Sequence, residues 1–156
     1  MVVVADTTPI NYLVLIGQIE LLSSLYNRVL IPPAVLAELR HPLAPQPVRA
    51  WANNPPQWLQ MRSPSSILIL SQLDPGEMEA IALATEVNAD LVLIDEQAGR
   101  KEALRKGLKV AGTLAVLDEA DREKLIVFDD AIADLRKTSF RISQTVLSEI
   151  KQKRSR

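Results

Sequence analysis

The sequence predicts an α/β protein whose mostly parallel central sheet is covered by helices on both faces. Two observations carry that prediction. Val2-Val3-Val4-Ala5 and Leu91-Val92-Leu93-Ile94 are continuous apolar runs without polar alternation, the pattern of strands buried on both sides. Helical patterns separate the strands, and parallel strands need such crossovers. A chain of 156 residues suits one domain large enough to bury a real core.

Along the chain, the first apolar run ends in Asp6-Thr7-Thr8-Pro9. Thr8 is a natural N-cap and Pro9 suits the first helical turn, so a helix is expected there, closed by Gly17. A second helix is expected over 19–26, a strand over 28–31 stopped by Pro32-Pro33, and a helix over 33–40. Residues 42–64 hold six of the ten prolines and both tryptophans. Exposing two indoles is unfavourable, so this stretch is read as packed structure, with a short helix over 48–52 and a strand over 58–61. Asp74-Pro75-Gly76-Glu77 is a strong helix start, with Asp74 as cap and Glu77 against the positive end of the dipole. That helix runs to about Asn88. After the strand at 91–94, a helix over 98–106 closes at Gly107, a short strand covers 109–111, and Gly112-Thr113 opens a helix through Leu117. Helices over 129–136 and 143–151 follow, and a basic tail covers about 152–156 of a single domain spanning 1–156.

Composition narrows the function classes. Hydrophobic residues make up 47% and charged residues 24%, as in ordinary globular proteins. The net charge is -1, so no global positive field gathers long duplexes; a bound cation could still reverse the sign locally. The absence of cysteine excludes disulfides, thiolate metal sites and a cysteine nucleophile. The first residues lack the basic region of a secretion signal, and no run reaches the roughly 18 uncharged residues of a membrane span. The expectation is a cytoplasmic protein with no membrane partner.

Asp6 and Asp95 each end a buried strand, where ligands of open parallel sheets bind. Two carboxylates meeting there repel unless a cation joins them, and oxygen ligands suit magnesium or manganese. Each could instead only cap the next helix. Glu77 could be only a dipole partner, but Ile81 and Ala84 share its helix face, which sets it beside the buried stripe. Glu79 points about 200° away on the same helix, so the two cannot share one site. Glu38, among Val35, Leu36 and Leu39, reads from pattern alone as a solvent-facing glutamate. Arg100, Lys101, Arg105 and Lys106 are the basic residues nearest Asp95, and their plain reading is a solvated helix face. His41 is the single histidine and lies in a proline-rich loop, so a histidine-pair ribonuclease is excluded.

Asp6-Thr7-Thr8-Pro9, Ile31-Pro32-Pro33-Ala34-Val35 leading to Glu38, Leu73-Asp74-Pro75-Gly76-Glu77, Leu93-Ile94-Asp95 and Gly112-Thr113-Leu114 occur in that order. Together they resemble the PIN-domain family, particularly its small branch akin to VapC-type toxins, over most of the chain from Val2 to about Leu117. The resemblance implies a three-layer α/β/α fold and a magnesium- or manganese-dependent endoribonuclease acting on RNA. Such proteins are often the toxin of a toxin–antitoxin pair, which implies an antitoxin partner, and are commonly homodimers. Helix 10–16 or the C-terminal helices are the candidate dimer interface. By position, Asp6, Glu38, Glu77 and Asp95 become both the catalytic and the metal-binding acids. Thr8, Thr113, Glu96 and Arg100 become substrate or supporting residues; Thr113 is equally readable as a plain N-cap. The chain departs at the fourth acid: relatives carry one a few residues beyond Asp95, whereas here Glu96 either substitutes or the site uses fewer acids.

Two other readings remain open in the sequence. One is a PIN-like binding module without cleavage, acting through protein contacts. The other is a phosphatase-like hydrolase with Asp6 as nucleophile, disfavoured because Thr8 stands where such enzymes place a second aspartate.

Overall fold

The computed structural model describes every residue except 68, 70, 71, 155 and 156. Its elements run β1 (Val3–Ala5), α1 (Thr7–Leu15), α2 (Leu21–Tyr26), β2 (Val29–Ile31), α3 (Pro33–Leu39), α4 (Gln46–Asn53) and β3 (Leu59–Met61). They continue with α5 (Pro75–Glu86), β4 (Leu91–Leu93), α6 (Gln97–Arg105), β5 (Val110–Ala111), α7 (Thr113–Arg122), α8 (Phe128–Arg136) and α9 (Gln144–Arg154). The five strands form one sheet in the order β3-β2-β1-β4-β5. Among the described residues every pairing is parallel, so the expected mostly parallel sheet is wholly so there.

Alternation along the central strands divides the interior into two cores, and so makes three layers. Val3 and Ala5 join Val29, Ile31 and Leu93 in a core shared with α1 to α4 and α7 to α9. Val4, Val92 and Ile94 face the other way, into a core closed by α5 and α6. Trp51 and Trp58 lie with ring centroids 6.1 Å apart and pack against the first core, so the proline-rich stretch is integral to the domain.

Strand order sets the site. Chain progression from β1 moves outward to β2 and β3, then crosses back to β4 and outward to β5. The reversal falls between β1 and β4, where the crevice beyond the strand ends is open to a ligand. Asp6 and Asp95 flank that crevice, and the Asp6 amide donates to the Leu93 carbonyl at 2.9 Å.

Several local expectations change. α1 starts at Thr7, two residues earlier than a Thr8 cap allows, and Asp6 takes the N-cap position without a side-chain capping bond. Pro9 still fits, because no amide in the first helical turn has an intrahelical acceptor. Ile10 and Leu13 are fully buried and Tyr12, Val14, Leu15 and Ile16 pack against the same core. Of these, only Ile10 and Leu13 are closed off in the domain; Tyr12, Val14, Leu15 and Ile16 keep part of their surface. α7 extends to Arg122, well past Leu117. α9 extends to Arg154, so residues 152–154 are helix and not tail; 155 and 156 lie outside the described residues. Among the described residues no helix is long and apolar enough to cross a membrane.

Candidate metal centre

The carboxyl edge of β1 and β2 gathers acids from three separate segments. Asp6 follows β1 directly, Glu38 projects from α3, and Asp74 caps α5. One carboxylate oxygen from each lies within 4.8 Å of the other two. Ligands on opposite sides of one cation, each bonded at 2.0–2.6 Å, stand roughly 4–5 Å apart, so these oxygens are spaced to share an ion. Asp6 is the floor at 2% exposure, Glu38 is half-buried, and Asp74 is at the open rim.

The α5 start does double duty. Asp74 Oδ1 accepts from the Glu77 amide at 2.8 Å while Glu77 Oε1 accepts from the Asp74 amide at 3.1 Å, a complete capping box. That arrangement uses one Glu77 oxygen. The other, Oε2, is buried with no hydrogen-bond partner, and so is Asp6 Oδ1. A buried oxygen without a partner is unfavourable by roughly 1–3 kcal/mol, more for a charged group.

Glycines make the approach possible. A Cβ on Gly76 would stand 2.5 Å from Glu38 Oε2, and one on Gly99 would stand 2.5 Å from Glu77 Oε2. Both carboxylates therefore lean into space that any other residue would fill. Glu38 is held there by the Gly76 amide, which donates to its Oε1 at 3.2 Å, and by the Thr7 hydroxyl, which donates to its Oε2.

Electrostatics follows from this crowding. Burial raises the Asp6 pKa well above the ordinary aspartate value; the Thr7 amide offsets this only partly, and the charges of Asp74, Glu77 and Glu38 push it further. Burial raises Glu77 to about 7, with Asp74 and Glu96 adding like charge. Glu38 moves the same way, chiefly through burial. Among the described residues, no lysine or arginine forms an ion pair with Asp6, Glu38, Asp74 or Glu77. Cationic charge is what this corner lacks. An all-oxygen donor set with uncompensated negative charge fits a hard divalent cation, and Asp6 Oδ1 and Glu77 Oε2 are the spare donors.

Asp95 forms the other wall of the crevice, and both its carboxylate oxygens have hydrogen-bond partners. Its Oδ1 accepts from the Thr113 amide at 2.8 Å and its Oδ2 from the Thr113 hydroxyl at 2.7 Å. The plain-cap reading of Asp95 fails for the following helix, since Glu96 occupies the α6 N-cap; Asp95 instead satisfies the start of α7 from across the sheet. Thr113 is not the N-cap either, because Gly112 is. Burial raises the Asp95 pKa, while Thr113 and the Arg100 guanidinium pull it back. Arg100 is half-buried and donates to the Ile94 carbonyl at 3.3 Å. Of the four basic residues near Asp95 in sequence, Arg105 pairs with Glu102, Lys101 and Lys106 are exposed, and Arg100 is the one that turns inward. Glu96 is exposed at the crevice mouth. Thr8 lines a cleft with Asp95, Glu96 and Arg100.

Sequence reasoning missed Asp74, which is read completely by its capping role; only its three-residue spacing from Glu77 marks it. Glu79 is not idle: its Oε1 accepts from the Ala34 amide at 3.0 Å and so ties α3 to α5, beside Glu38.

A profile of the PIN-domain family matches residues 2–156. Comparison with curated proteins gives no match. Among solved structures, a PilT N-terminus domain protein from the hyperthermophilic archaeon Sulfolobus solfataricus P2 superposes with a TM-score of 0.53. The two share 15% identity over 92% of this chain and 100% of that one, a likeness of fold.

Proposed function

The chain belongs to the PIN-domain family, which implies nuclease-type chemistry, and from that premise we propose a magnesium- or manganese-dependent endoribonuclease working in the cytoplasm. The observation that supports it best is the convergence of Asp6, Glu38 and Asp74, with buried Asp6 Oδ1 and Glu77 Oε2 left without partners.

In this reading Asp6, Glu38, Asp74 and Glu77 would hold the cation, and Asp95 stands at the far wall of the crevice. A bound divalent ion lowers the pKa of water toward neutrality and offsets charge on phosphate oxygens. Thr7 and the Gly76 amide keep Glu38 turned toward Asp6. The capping box fixes Glu77 so that only its Oε2 is offered. Thr113 locks the Asp95 carboxylate, and Arg100 places positive charge beside it, where a substrate phosphate would lie. Protons held by the raised carboxyls must leave as the cation enters, so binding strengthens as pH rises.

The test is cleavage of a single-stranded RNA with manganese present. Asp6→Asn is expected to lower kcat by about 100-fold or more. Unchanged cleavage by Asp6→Asn, or by wild type in excess chelator, overturns the proposal. The family resemblance extends the reading to a toxin neutralised by an antitoxin, and to a homodimer. Helix α1 and the C-terminal helices remain the candidate surfaces, with Leu125 and Val127 exposed beside the latter, between α7 and α8. Sedimentation as a monomer at micromolar concentration removes the dimer.

A further inference from the structure

α3 begins with a shortage of local acceptors. Pro32 holds its N-cap position with no side-chain oxygen to offer, and Pro33 follows with no amide hydrogen. The Val35 and Leu36 amides donate to the Pro32 carbonyl at 3.2 and 3.3 Å. The Ala34 amide instead donates to Glu79 Oε1 at 3.0 Å, across 45 residues of chain. A carboxylate on α5 thus supplies the cap that α3 lacks. Glu79 is half-buried, and among the described residues it forms no ion pair. The bond has a counterpart one helical turn away, where the Gly76 amide of α5 donates to Glu38 Oε1 at 3.2 Å. Ala34 and Glu38 are four residues apart on α3, and Gly76 and Glu79 three apart on α5, so each pair shares a helix face. Two bonds of opposite direction therefore join the same two faces.

Resting on the metal-site reading above, we propose that Glu79 is a positioning residue. By accepting the Ala34 amide it fixes the register of α3 against α5, and so keeps Glu38 within reach of Asp6 and Asp74. Apolar burial of Val35 and Leu39 holds α3 against the core, but it is non-directional and does not by itself fix the helix along its axis. A slip of one residue's rise, about 1.5 Å, far exceeds the roughly 0.2 Å tolerance of metal–ligand distances. The bonds that reach Glu38 itself, from Thr7 and Gly76, occupy the oxygens that a cation would take. The Glu79 bond holds α3 without using them. The charge of Glu79 is unfavourable to its neighbour, since it adds to the repulsion that pushes the Glu38 pKa up. What Glu79 contributes to Glu38 is therefore an acceptor.

The experiment compares Glu79→Met, which keeps bulk and removes the acceptor, with Glu79→Gln, which keeps an acceptor and removes the charge. Amide hydrogen exchange by NMR, in chelator, reads the register without metal. The reference is the Val92 amide, which donates to the Lys109 carbonyl at 2.9 Å inside the sheet. Relative to it, Glu79→Met should speed exchange at Ala34 and also at Gly76, whose partner is Glu38 and not Glu79. Glu79→Gln should restore both. Manganese affinity by calorimetry should fall about 10-fold or more in Glu79→Met, as when a ligand's support is lost, and largely recover in Glu79→Gln. Faster exchange at Ala34 alone, or at Val92 as much as at Gly76, overturns the proposal, because Glu79 would then serve only its own contact or overall stability. Equal weakening of manganese binding in the two variants also overturns it, since charge and not the bond would be at work. A wild type that binds no manganese, with the exchange pattern as expected, removes the metal reading and leaves the register role standing. A wild type that binds, with affinity unchanged in Glu79→Met, removes the positioning role alone.

Discussion

At the carboxyl edge of the sheet, Asp6, Glu38, Asp74 and Glu77 crowd together, and among the described residues no cationic side chain pairs with them. On α7, Asp118 and Asp121 crowd as well, yet they face Arg154 from α9 at 2.7 and 3.1 Å, and Arg122 adds a contact to Asp118 at 3.2 Å. Arg154 also lies over the Phe128 ring at 4.6 Å, so one guanidinium pins α9 to α7 and α8. The pKa values part accordingly. The sheet-edge acids are raised, mainly by burial. Asp121 is lowered, first by the Phe128 amide and then by Arg154. Acids that the protein itself neutralises serve the fold; acids that it buries and leaves uncompensated are poised for a cation from outside.

That contrast can be broken most forcefully by adding the cation. Manganese at about 100 times its Kd should stabilise the protein by ~2.7 kcal/mol, or roughly 5–10 °C in Tm for a chain of this size. Thermal melts at pH 8 check this. If Asp6→Asn melts show the same increment, the sheet-edge acids are not the ligands.

Next in size is Gly99→Ala. The added methyl would stand 2.5 Å from Glu77 Oε2 and force that carboxylate aside. Manganese affinity by calorimetry should fall about 10-fold or more, as expected when a ligand's support is lost. An unchanged affinity places Glu77 outside the ligand set.

A smaller effect concerns protons, and here the two regions have opposite signs. Carboxyls raised in the native state bind protons there that the unfolded chain has released. Their stabilisation is complete below the unfolded values near pH 4 and is lost as pH rises through about 7, the Glu77 value. The metal-free protein should therefore lose a few degrees of Tm between pH 5 and 8. Saturating manganese should shrink or reverse that loss, since the ion needs the deprotonated forms. Asp121 contributes stability above its ordinary value that is lost only as pH falls further, so it does not act in that window. A metal-free Tm that rises from pH 5 to 8 contradicts the assignment.

The smallest change should come from Arg154→Met, which keeps the stem over Phe128 and removes the charge. The pair is partly exposed, so a loss of about 1 kcal/mol is expected, read by urea unfolding, with RNA cleavage unchanged. A larger effect on cleavage than on stability would mean that the α7–α9 clamp reaches the crevice.

Much of this architecture is written locally. The apolar runs at Val3 to Ala5 and at Leu91 to Leu93 can be satisfied only between two helical layers, and Gly17 and Gly107 take the positive φ that ends α1 and α6. Asp74-Pro75-Gly76-Glu77 starts a helix by bonds within four residues. Asp6 and Asp95 stand at strand ends in a parallel sheet, which placed both at the crevice from chain order alone. Glu38 became legible only through the ordered motifs of the family, because its neighbours on α3 give no reason for it to face inward.

What tertiary structure alone decided lies in contacts between segments remote in sequence. Asp74 satisfies its helix completely, so nothing local reveals that packing α5 against α3 brings it beside Asp6 and Glu38. Gly76 and Gly99 look like ordinary small residues until Glu38 and Glu77 are laid against them. Thr113 reads as a cap until Asp95 arrives from the neighbouring strand to take both its donors. Local bonds declare themselves in the order of residues, whereas charge crowding depends on distances that only the folded chain sets.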